Sequence, residues 1–141
     1  MPDIIDALAA ARDIGVDAVI IQDIGLADVA RRLFPDLRLH ASTQLAVHNI
    51  AGVRTLEMFG FKRATLAREL TLHEIRGIAA SAPIEIETFV HGALCYSYSG
   101  LCLYSALLRD RSGNRGACAY CCRDSFSRPS QPDALPVSMK D

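Results

Sequence analysis

Residues 1–92 switch repeatedly between two hydrophobic periods, and few folds accommodate that switching. Ile4, Ile5, Leu8 and Ala9 recur at helical spacing, and Gly15 suits a helix stop. "DAVIIQD" follows, a continuous apolar run of the kind found in strands buried on both faces. "LADVARRLF" is helical and ends before Pro35, "LRLHAS" is a short strand, and "LAVHNIAGVRTLEMFG" is an amphipathic helix closed by Gly60. "KRATLA" is a third strand. "TLHEIRGIAASA" is a helix whose Thr71–Glu74 pair has capping-box spacing, and "IEIETFVHG" is a fourth strand. Four strand–helix alternations predict an α/β fold with a parallel sheet.

The repeat fits either a β/α barrel or an open doubly wound sheet. We expect the former, a partial TIM-like barrel of about four β/α units over residues 1–92. A closed barrel needs eight units, so a segment of a longer protein is expected. The period breaks down after residue 92. Residues 93–128 are rich in Gly, Ser, Arg and Cys, with one short helix expected around Leu101–Leu108. Residues 129–141 resemble the start of a following region.

Half of the 141 residues are hydrophobic, which excludes a disordered chain. The net charge of −1 points by itself to neither nucleic acid nor membrane, and no apolar run reaches membrane-spanning length. The N-terminus carries an acid where a secretory signal carries a base, so a cytoplasmic location is expected.

In parallel β/α folds chemistry gathers at the carboxyl ends of strands. Polar residues gather there in this chain: Gln22 and Asp23; His40, Ser42, Thr43 and Gln44; Arg68 and Glu69; then Glu87 and His91. Any one of them can instead cap the following helix. Taken together they are too many for capping alone, and His40, Gln44, Arg68, Glu69, Glu87 and His91 are the catalytic candidates. A salt bridge from Glu87 to Arg68 is the structural alternative for that pair.

All five cysteines lie between residues 95 and 122. Disulfides are rare in the cytosol and five is an odd number, so metal, redox or nucleophilic chemistry is favoured. Cys95, Cys102, Cys118 and Cys122 can supply the four thiolates of an iron–sulfur cluster. Cys118 and Cys121 form a C-x2-C pair of the kind that holds zinc. Cys95 beside His91 is a possible nucleophile, and ordinary buried thiols are the remaining alternative. Residues 109–128 hold five arginines against two aspartates. That excess lowers thiol pKa values and suits an anionic partner, although from charge alone a solvated loop is the plainer reading.

"ETFVHGALCYSYSGLCLYS" resembles the signature of the collagenase-like peptidases, family thirty-two of the peptidases of unknown mechanism. Glu87, Phe89, Gly92, Ala93, Leu94, Cys95, Gly100, Cys102 and Ser105 match it, while Tyr104 replaces an aliphatic residue. "LHASTQLAVHN", "LARELTL" and "GNRGACAYCCR" are also similar to the family. The resemblance implies a β/α barrel and a historical protease label. It also implies, for some members, oxygen-independent hydroxylation of transfer RNA, ribosomal RNA or a ubiquinone precursor. Those members carry a four-iron four-sulfur cluster, with prephenate as hydroxyl source. Cys95, Cys102 and Cys118 match family cluster cysteines and Cys122 the next; Cys121 stands where the family more often has proline.

The parent protein is therefore expected to be an iron–sulfur enzyme that hydroxylates RNA. The alternatives are peptide hydrolysis and a non-catalytic, cluster-bearing partner protein. Neither H-E-x-x-H nor G-x-S-x-G occurs in the chain. The segment alone is expected to be inactive and to self-associate through open sheet edges.

Overall fold

The computed structural model describes residues 2–92, 95–126, 130 and 137–138. They fall into two compact units, Met1–Gly92 and Ala93–Asp141. Of the region expected at 129–141, only Ser130 and Val137–Ser138 are described; Arg128 and the signature residues Ala93 and Leu94 lie outside the described residues.

The first unit alternates as its sequence predicts: α1 (Pro2–Asp13), β1 (Val19–Ile21), α2 (Ile24–Leu33), β2 (Leu39–Ala41), α3 (Ile50–Met58), β3 (Arg63–Thr65), α4 (Leu72–Ala79) and β4 (Glu85–Glu87). Local chemistry sets the boundaries. Gly15, at φ 74°, turns the chain after α1, where its N–H reaches the Arg12 carbonyl at 3.0 Å. The Asp23 carboxylate caps α2 by accepting from the Leu26 N–H at 2.7 Å. The Thr71–Glu74 capping box is present in full at the head of α4.

Each of β1–β4 is three residues long, shorter than its sequence pattern, and two elements depart furthest from theirs. The helix expected over 45–60 begins only at Ile50, because Ala46 adopts a left-handed backbone (φ 51°) and Asn49 caps the first turn through the Gly52 N–H at 2.8 Å. A 3-10 turn, Thr43–Leu45, precedes it. The fourth strand stops at Glu87; Phe89 and Val90, read as strand, are 61% and 94% exposed. An apolar residue without a covering layer gives a strand no reason to extend.

The strands pair in parallel in the order β1-β2-β3-β4. In register, Ile21, Ala41, Ala64 and Ile86 form one row across the sheet. That row joins a core made with Leu8 of α1, Ala27 and Ala30 of α2, Val53 and Leu56 of α3, and Ile78 of α4. All four helices therefore pack on one face. A doubly wound sheet reverses its strand order and divides its helices between two faces, so this sheet is not of that type. The four strands form an open sheet; a closed barrel is not shown. Phe61, 1% exposed, anchors the core, and truncating it to alanine is expected to cost about 3–5 kcal/mol.

In the second unit, the helix expected near Leu101–Leu108 forms at Tyr104–Arg109 (α5). Three 3-10 turns, Tyr98–Gly100, Gly113–Arg115 and Cys121–Arg123, and a two-stranded antiparallel pair, β5 (Ser125–Phe126) with β6 (Val137–Ser138), complete its described elements.

Candidate functional site

The sheet face away from the helices is polar. Strand register places Ile20, His40, Arg63 and Glu85 side by side, and Thr65 beside Glu87. Arg63 binds Glu85 through two nitrogens, Nε at 2.9 Å and Nη2 at 2.7 Å, and reaches Glu87 through Nη1 at 3.2 Å. Thr65 Oγ1 donates to the other Glu87 oxygen at 3.3 Å, and Arg38 lies 3.6 Å from Glu85. The Arg63 hydrogen bonds hold the Glu85 carboxyl below the usual carboxylate range. Glu87 thus pairs with Arg63, a partner other than the Arg68 that its spacing suggested. The partner is decided by register across neighbouring strands, which the sequence does not display.

His40 sits mid-strand in this row rather than at a strand end. Its Nε2 is buried without a hydrogen-bond partner. Burial, then the positive charges of Arg63 and Arg38, push its pKa below the ordinary histidine value, so a neutral imidazole faces the row near neutral pH. A buried ring nitrogen without a partner carries a desolvation cost. Arg63, Thr65 and Glu85 were not among the sequence candidates. The signal was available: charges at alternate positions in "IEIE" and an arginine heading "RAT" are unusual for a sheet buried on both faces.

At the strand ends two loops are pinned together. Thr43 Oγ1 donates to the Leu66 carbonyl at 3.2 Å, and the Ala67 N–H donates to the Val47 carbonyl at 2.9 Å. These bonds bring the Gln44 loop beside the loop carrying Arg68 and Glu69. Gln44 and Arg68 are half-buried and Glu69 is exposed. Ser42 does what the capping alternative required, accepting from the Gln44 N–H at 3.2 Å, as Asp23 does on α2. His91 is exposed at the end of the first unit.

The thiols occupy the second unit. Cys95 is exposed, Cys102, Cys118 and Cys122 are half-buried, and Cys121 is buried. Burial chiefly raises the Cys122 pKa, with further contributions from Cys118, Cys95 and Cys121. Ser105, 1% exposed on α5, organises the surrounding chain. Its Oγ donates to the Arg111 carbonyl at 2.6 Å and accepts from the Ala119 N–H at 2.8 Å. Asn114 Oδ1 accepts from the Cys102 N–H at 3.2 Å, and the Tyr120 N–H donates to Cys118 Sγ at 3.3 Å. Cys95 Sγ lies 3.0 Å from Ser97 Oγ. In kind these donors are those a thiolate centre uses. Among the described residues no three His, Cys, Asp or Glu side chains already stand in metal-holding geometry. No described helix is long and apolar enough to cross a membrane.

A model of the family described as Peptidase family U32 matches residues 1–138. The chain is 44% identical over 116 residues to the tRNA hydroxylation protein P of Escherichia coli, covering 82% of this chain and 26% of that protein. It is 41% identical over 127 residues to the 23S rRNA 5-hydroxycytidine C2501 synthase of the same organism, covering 90% and 17%. Against a collagenase of Porphyromonas gingivalis the identity is 31%, over all of this chain and 35% of the collagenase. Among solved structures, the U32 peptidase Mk0906 superposes with a TM-score of 0.56 at 26% identity, covering 67% of this chain and 39% of that one. The chain spans only about a sixth to a third of these curated relatives' lengths.

Proposed function

The chain belongs to peptidase family U32, and from that premise we propose that it forms part of an enzyme that hydroxylates RNA, with an iron–sulfur cluster held by Cys95, Cys102, Cys118 and Cys122. The observation that carries the reading is how many similar relatives bear such names. Proteins named for tRNA or rRNA hydroxylation, from Escherichia coli, Haemophilus influenzae, Bacillus subtilis and Helicobacter pylori, match most of the chain at 39–44% identity, beside one uncharacterized protease at 42% and a collagenase at 31%.

The chemistry of this chain's residues is consistent with it. Four thiols grouped on irregular, Gly-containing loops suit a cluster better than the single C-x2-C pair suits zinc. Cys121 is the alternative fourth ligand, and zinc the alternative metal. The cluster would supply one-electron chemistry. The arginines around it offset thiolate charge, and His40 offers a neutral nitrogen for a proton or a substrate hydroxyl. The sheet would form an arc of a β/α barrel, and prephenate is the small molecule that the family resemblance suggests.

The test is nucleoside mass spectrometry of RNA from cells lacking the parent gene. Loss of a hydroxylated pyrimidine, restored by wild type and not by Cys118→Ser, is expected. Unchanged RNA, together with cleavage of a peptide by the purified parent protein, would overturn the reading in favour of hydrolysis. Anaerobic absorption and iron content then test the cluster, and stoichiometric zinc in a colourless protein would overturn that part.

A further inference from the structure

Every tyrosine of the chain lies between residues 96 and 120, and each is exposed: Tyr96 75%, Tyr98 51%, Tyr104 37% and Tyr120 62%. They are placed in a pattern. Tyr96 adjoins Cys95, Tyr104 follows Cys102 by two residues, and Tyr120 follows Cys118 by two. Each of the first three thiols therefore has an exposed tyrosine within two residues of it along the chain.

Tyr120 adds an independent observation. Its backbone is left-handed at φ 55°, a region that costs a non-glycine residue stability and suits glycine. Its ring buries little to offset that cost. A bulky side chain kept at a strained position, with its ring in water, is accounted for by something that the ring touches.

The surrounding charge says what that is. Arg111 and Arg115 are exposed in the same unit, within a stretch of five arginines and two aspartates. Exposed aromatic rings interleaved with arginines are the recognition chemistry of single-stranded nucleic acid, in which bases stack on the rings and phosphates meet the guanidinium groups. An acidic peptide would use the arginines and leave the rings idle.

We propose that Tyr96, Tyr104 and Tyr120, with Arg111 and Arg115, form a binding surface for single-stranded RNA around the cysteine centre. The inference rests on the RNA reading above and names the surface that holds the substrate. It places unpaired bases beside the thiols, as chemistry on a base requires.

The experiment is fluorescence anisotropy of the protein with a short fluorescein-labelled oligouridylate, titrated at several salt concentrations, with duplex RNA and gelatin peptide as competitors. Tyr96→Ala, Tyr104→Ala and Tyr120→Ala should each weaken binding by roughly 5- to 150-fold, and the tyrosine-to-phenylalanine variants should keep it. Joint replacement of Arg111 and Arg115 by glutamine should flatten the salt dependence, by about 1.4 in log–log slope. Tyr120→Gly separates binding from folding: its melting temperature should hold or rise, since glycine relieves the strained φ, while affinity falls. If the wild type binds the oligouridylate and the tyrosine variants bind it equally well, this surface is wrong and the RNA reading stands. If the wild type ignores RNA and binds the peptide, both are wrong.

Discussion

Replacing Ser105 by alanine tests how the cysteine segment is held. Two hydrogen bonds disappear at once, the 2.6 Å bond to the Arg111 carbonyl and the 2.8 Å bond from the Ala119 N–H. An ordinary intramolecular hydrogen bond contributes about 0.5–1.5 kcal/mol net, and a donor left without a partner away from water costs about 1–3 kcal/mol. Ser105 is 1% exposed, so water replaces the lost hydroxyl poorly. The carbonyl can turn outward more easily than the N–H, so the loss is estimated at about 2 kcal/mol, centred on Ala119. At about 1.4 kcal/mol for each tenfold change, local opening around Cys118 becomes roughly 30-fold more frequent. Hydrogen exchange at the Ala119 amide should accelerate by that factor, and alkylation of Cys118 should accelerate with it. Ser105→Cys, which keeps a weaker donor and acceptor, should fall between. If Ser105→Ala leaves both rates within about twofold of wild type, the two bonds do not hold this segment and the estimate fails.

Thr71→Ala removes the α4 capping box and should cost about 1 kcal/mol in a denaturant melt. Hydrogen bonds from Thr71 lower the Glu74 pKa from 4.5, so the box's contribution should persist above pH 4.5 and fade as acid protonates Glu74; an acid limb unaltered in Thr71→Ala would contradict it. His40 has a folded pKa below 6.5, so the unfolded chain binds its proton first, and stability should be full above pH 6.5 and decline as pH falls through that value. His40→Gln should flatten that decline in thermal melts followed from pH 8 to pH 5. Alanine at His40, Gln44, Arg68 or Glu69 should lower activity of the parent enzyme with little change in melting temperature, whereas a matching loss of both would assign them to the fold. Sedimentation should show self-association through the outer edges of β1 and β4, and a monodisperse monomer would refute it.

The alternation of hydrophobic periods determined the elements and their parallel pairing, because each strand and helix must bury an apolar face whatever its neighbours are. Local polar chemistry was as legible: Gly15, the Thr71–Glu74 box and the grouping of thiols in one segment all depend on residues near one another in the chain. Element ends were less so. Ala46 and Asn49 delay α3, and a left-handed alanine has no sequence signature. The uncovered face of β4 shortens a strand that its composition would extend. Only the tertiary structure decided that all four helices share one face, which separated a singly wound sheet from a doubly wound one. It also decided which arginine meets Glu87. The sequence pointed to Arg68, but strand register sets residue 63 opposite residue 85, two positions from Glu87 on the same face. Register is a relation between chain segments more than twenty residues apart, set by how the Ala41, Ala64 and Ile86 row packs beneath the helices. The same row turns His40, Arg63 and Glu85 to the opposite face together, and so makes a charged cluster of residues that the sequence scatters.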